Sequence, residues 1–211
     1  MGEKYDCYSD DMPRLRVPEL MRARVQNPVG EGFPPPRYGE MQRGGEAGKA
    51  ALAEYAARPG DTVEAAAASA LDGLRGATGG DPAARIAAGQ QVVDTLDRCL
   101  TDVQKQSSQA NLTYQMLSDA GSIPDHDLGE IASGSARALK KTVSDHMGLL
   151  EGVINTELNT AEDSAVNAVG GHAEAAVNRI GQFAYTNSAR LSNAIMRRGA
   201  SEAPAATDPA A

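Results

Sequence analysis

Between Asp81 and Arg198 the apolar residues recur every three or four positions, with almost no stretch in which apolar and polar residues alternate. That spacing is the signature of helices buried along one face, and it leaves little room for a sheet. The predicted fold class is therefore all-α.

The pattern divides in two. Asp81 is a good helix cap and Pro82 suits the first helical position, so a helix is expected over 81–120. Read as a heptad, its a positions are Ile86, Val93, Leu100, Ser107 and Tyr114, and its d positions are Gly89, Leu96, Val103, Ala110 and Leu117. Such a seam is of the coiled-coil kind, and the rod would be about 57 Å long. Gly121-Ser122-Ile123-Pro124 should break it, giving a turn over 121–127, with Asp127 and Glu130 as a capping box for the next helix.

From Leu139 the apolar positions step by 4, 4 and 3: Leu139, Val143, Met147, Leu150, Ile154, Leu158, Ala161, Ala165, Val169, His172, Ala176, Ile180, Phe183, Asn187, Leu191 and Ala194. An 11-residue repeat makes a straight or slightly right-handed seam. One long hendecad helix is expected over 128–198, about 105 Å if unbroken. Gly170-Gly171 is the point where a break would be expected, but the stripe holds its phase across both glycines and argues for continuity. The two long helices are expected to pair as an antiparallel coiled-coil-like hairpin. Leu139, Val143, Leu150, Ile154, Leu158, Val169, Ile180, Phe183 and Leu191 would be interface residues, covered beyond Val166 by the shorter helices or by another chain.

The flanks differ in composition. Residues 1–43 hold Pro13, Pro18, Pro28, Pro34, Pro35 and Pro36, and read as an extended arm with one short helix from Pro18 to Gln26. Phe33, Pro35, Pro36 and Tyr38 are candidate docking residues: aromatics on a stiff backbone lose little entropy on binding, and Pro35-Pro36-Arg37-Tyr38 fits a short motif read by proline-binding grooves. Residues 44–80 suggest two short Ala-rich helices, the first ending at Pro59-Gly60 and the second capped by Asp61 with Glu64. Residues 199–211 have the composition of a flexible tail.

Chemistry-bearing groups are sparse. Asp125-His126-Asp127 is the densest ligand-like cluster, but its polar residues also suit a helix start. His146 lies near the stripe beside Asp145, and His172 falls inside it. No phosphate loop, metal spacing or nucleophile–base pair emerges, so no catalytic, cofactor-binding or metal residue is assigned and no cofactor is expected. Two cysteines, Cys7 and Cys99, make no disulfide framework. The net charge of −8 disfavours nucleic acid as a partner. No apolar run approaches the length of a membrane span, and no signal-peptide core is present.

The expectation is a non-enzymatic structural or assembly protein: a helical protomer or minor component of a large assembly, such as a virus particle, whose arm ties neighbouring subunits. Its partners would be copies of itself and other components, in the cytoplasm or within the particle. The alternatives are a soluble coiled-coil adaptor that binds a partner helix and a membrane-active amphipathic protein.

Overall fold

The computed structural model describes residues 45–202 except Thr78 and Ser122, with side chains as far as Arg198. Everything described is helix or short turn. The elements are α1 (Gly45–Ala77), α2 (Pro82–Ala120), α3 (Asp125–Thr142), a π-helical segment π1 (Val143–Met147), α4 (Gly148–Ile154), a second π-helical segment π2 (Asn155–Asn159) and α5 (Ser164–Glu202). Elements α3 to π2 run on without interruption, so four rods pack together.

Cross-links give their directions. Thr62 of α1 bonds Gln106 of α2, and Leu52 and Tyr114 share one core cluster, so α1 and α2 are antiparallel. Lys49 reaches Asp127, and Gly60 lies beside Thr142, so α1 is parallel to the third rod. Asp97 meets Arg179 and Asp119 meets Arg198, so α2 and α5 are parallel. Gly129 abuts Ile195 and Leu158 abuts Gly170, so the third rod and α5 are antiparallel. Each rod has two main neighbours. The α2 rod packs chiefly on α1 and α5 and only slightly on α3, although α3 follows it in the chain.

The sequence-based hairpin of two long helices therefore does not describe this arrangement. The reason lies on α2. Its d positions Gly89, Leu96, Val103, Ala110 and Leu117 are all buried, but so are Val92, Cys99, Gln106 and Thr113 one helical step to the side, while Ile86, Val93 and Leu100 are only half-buried. A face that broad serves two neighbours, whereas an a/d seam serves one. The α2 boundaries match expectation: Asp81 Oδ1 accepts from the Ala84 amide at 2.8 Å, Pro82 follows, and the Gly121 amide returns to the Ser118 carbonyl at 3.1 Å.

Two other boundaries differ. The pair of short helices expected over 44–80 is one helix, α1, passing through Pro59. Gly48, Leu52, Tyr55, Pro59, Val63, Ala67, Ala70 and Leu74 form an unbroken buried stripe in which the proline ring is itself a core group. Interior proline costs a helix about 3 kcal/mol, and burial of four or five large side chains along the stripe exceeds that. Asp61 and Glu64 are exposed mid-helix residues and not a cap.

The 128–198 helix is interrupted at 160–163, ten residues before the glycine pair. Thr160 has φ −94° and ψ 1°. Asp163 then caps α5, its Oδ1 accepting from the Ala165 amide at 2.8 Å and the Val166 amide at 3.3 Å. The Asn167 side chain donates to the Asn159 carbonyl at 2.7 Å, satisfying an acceptor at the end of the preceding rod. The chain reverses here, and α5 passes through Gly170-Gly171 as helix. After the reversal the buried stripe is Val166, Gly170, Ala173, Ala176, Val177, Ile180, Ala184 and Leu191. It lies one residue off the 4-4-3 pattern as far as Ala173, which leaves Ala165 and His172 exposed, and meets the pattern again at Ala176 and Ile180.

The hendecad spacing of the third rod has its own cause. Leu139, Val143, Met147, Leu150, Ile154 and Leu158 are all buried. In a straight α-helix, steps of 4, 4, 3, 4 and 4 would swing Leu158 about 100° away from Leu139. The wider turns of π1 and π2 fall on the two double steps of four and hold all six residues on one face.

Candidate functional site

Of the nine residues expected at an interface, seven are core residues of this chain. Leu139, Val143, Leu150, Ile154, Leu158, Ile180 and Leu191 are buried by neighbouring rods of the same chain, and Val169 and Phe183 are half-buried. The stripe is thus an interface between helices within one molecule, and it is not available to a partner in the folded state. Phe33, Pro35, Pro36 and Tyr38 lie outside the described residues.

The structure separates the ligand-like cluster. Asp125 Oδ1 accepts from the Ser118 hydroxyl at 2.6 Å, which ties the start of α3 to the end of α2. Asp127 turns to Lys49 at 2.6 Å and ties α3 to α1. The hydrogen bond from Lys49, followed by its charge, holds the Asp127 carboxyl below the usual carboxylate value, and the same bond raises Lys49. The expected Asp127–Glu130 capping box is not formed, because α3 starts at Asp125, three residues earlier than expected, and Asp127 is engaged by α1. His126 is exposed, with Asp127 and Glu130 at 3.7 and 3.8 Å. His146 is half-buried in π1 and His172 is exposed on α5, so the three histidines share no site. Among the described residues no group of three or more His, Cys, Asp or Glu is arranged to hold a metal ion. Cys99 is buried against α1, its thiol 3.9 Å from the Thr62 carbonyl. Burial first, and Asp102 second, push the thiol up to about 11, far from the reactive thiolate range.

Two features were missed by pattern reading because they use polar residues. The first is the end of the bundle that carries both Gly45 and Arg198. There Arg198 donates to the Ser118 hydroxyl and to Asp119 Oδ1, the latter at 3.0 Å, and its guanidinium lies 5.9 Å from the Tyr114 ring centre. With Lys49–Asp127 and Ser118–Asp125, these contacts join all four rods at that end.

The second is a polar layer inside the bundle. Gln106 and Ser107 are buried, and the Thr62 hydroxyl donates to Gln106 Oε1 at 3.0 Å and accepts from Nε2 at 2.9 Å. Asn111 Nδ2 donates to Asn187 Oδ1 at 3.4 Å. A cavity of about 30 Å³ opens at this level, lined among others by Pro59, Ser107, Asn111, Ser135 and Asn187, room for one or two waters. It is too small for an organic substrate.

No family model, curated protein or solved structure matches this chain. Among the described residues no helix is long and apolar enough to cross a membrane.

Proposed function

We propose that this protein is a non-enzymatic structural component of a larger protein assembly, with residues 1–43 as the segment that ties it to neighbours. The observation that carries this reading is the division of labour along the chain. Residues 45–198 bury their apolar stripes against one another, whereas residues 1–43 carry prolines, arginines and Tyr5, Tyr8, Phe33 and Tyr38 with too few periodic apolar residues to add a core element. Rigid aromatics on a proline-stiffened segment suit docking into a groove of another subunit. Gly45, where the bundle begins, and Arg198 lie at the same end of it. A virus particle is one setting in which such a protomer serves; copies of this chain and other components of the particle would be the partners.

The test is deletion of residues 1–43. Helicity and melting of the remainder should be nearly unchanged, while light scattering and co-sedimentation with the native partners should show weakened incorporation. Normal incorporation would remove the arm's role. Co-sedimentation of the full chain with lipid vesicles, and not with protein partners, would favour the membrane-active alternative.

A further inference from the structure

The apolar interior is two clusters, not one. The larger joins Val63, Leu74, Leu96, Val103, Leu150, Ile154, Ile180 and their neighbours; the smaller joins Leu52, Tyr114, Leu117, Ile123, Leu128, Ala132, Ala136 and Leu191 at the end that carries Gly45 and Arg198. Of the largest fully buried side chains, Leu52 and Leu128 alone belong to the smaller cluster, and the other ten belong to the larger. Between the clusters every rod is weakened at one level. Rod α1 has Pro59, which cannot donate to the Tyr55 carbonyl one turn back. Rod α2 has Gln106, Ser107 and Asn111, the third rod has Ser135, and α5 has Asn187. The cavity lies at this level, and the Ser107 hydroxyl on its wall, though buried, meets no hydrogen-bond partner among the described residues.

We propose that the half of the bundle carrying Gly45 and Arg198 opens as a unit of its own, hinged at this polar waist, while the other half stays folded. Packed apolar side chains transmit cooperativity along a bundle because separating them exposes surface on both sides. A layer of amides, hydroxyls and empty space transmits less of it, since its polar groups accept water on opening and its missing contacts cost nothing to lose. The smaller cluster has the fewer deeply buried side chains, so it is the half with the lower opening free energy. Opening would expose Leu52, Leu117 and Leu128 beside the point where residues 1–44 join the bundle. The proposal stands whether or not the chain belongs to an assembly.

Native-state hydrogen exchange on the full chain, followed by mass spectrometry at rising guanidinium below the unfolding midpoint, tests it. Peptides from 111–136 should share one opening and exchange at least about tenfold faster than peptides from 88–103 and 143–158. Replacing Asn111→Leu together with Asn187→Leu exchanges one amide pair of the waist for apolar packing and should narrow that gap. Equal protection and equal denaturant dependence in the two halves of the wild-type chain would overturn the proposal, as would slower exchange in 111–136. A folded double variant with an undiminished gap would overturn the waist as the hinge.

Discussion

Gly170 and Gly171 are adjacent in sequence and opposite in consequence. A Cβ on Gly170 would lie 2.1 Å from Asn159 Oδ1 and 2.9 Å from Leu158 Cβ, so this glycine is what lets α5 approach the third rod just after the chain reverses. A Cβ on Gly171 would meet nothing within 4 Å. Gly171→Ala should therefore stabilise the protein by about 1 kcal/mol, the helix-propensity difference. Gly170→Ala should destabilise it by roughly 1–2 kcal/mol, the overpacking strain exceeding the propensity gain. Urea unfolding of the two variants measures both signs. The Lys49–Asp127 pair makes a pH prediction. Asp127 titrates below its ordinary value of 3.8 in the folded chain, so its contribution is complete above that pH and is lost as pH falls through the lowered value. Lys49 titrates above 10.5, so its contribution is complete below that pH and is lost as pH rises through the raised value. Asp127→Asn should lower the melting temperature at pH 7, and its difference from wild type should shrink toward pH 2.

The elements differ in how far local sequence dictates them. Helix α2 has a cap, a proline at its first position and a glycine stop, all readable in advance, and Asp81→Ala should cost about 1 kcal/mol in chemical denaturation because the Ala84 amide loses its acceptor. Helix α1 contradicts its local signals at Pro59-Gly60, and only the continuity of its buried stripe carries it through. In the third rod the 4-4-3 spacing was legible, but its meaning was not: residue spacing does not distinguish a helix that supercoils from one that widens into π turns, and contact with α1 and α5 on a fixed side selects the second. The reversal at 160–163 had a readable cap in Asp163. Its signal was masked because the following apolar residues, displaced by one, still matched the 11-residue repeat at Ala176, Ile180 and Leu191.

For the whole molecule, the reversal is the most consequential difference and is directly measurable. Spin labels at Ser144 and Gln182, both exposed, would be about 57 Å apart along one continuous helix. In this bundle they lie on antiparallel neighbours whose axes are about 8–10 Å apart, so the measured distance should be below about 25 Å. Ile180→Asp should cost several kcal/mol, seen as loss of the cooperative melt, because its side chain is fully buried by its own chain and a carboxylate there has no solvent.

Helix content and the limits of α2 could both be read from residue types, because caps, prolines and apolar period act over a few positions. The single α1, the turn at 160–163, the paired use of α2's broad face and the polar waist could not. Each depends on which rods become neighbours, and that choice compares burial energies across residues as far as 44 to 82 positions apart. Gln106 and Asn111 show the reason most plainly. As residue types they belong on the surface; Thr62 on α1 and Asn187 on α5 make them interior groups, and nothing within one helix announces those partners.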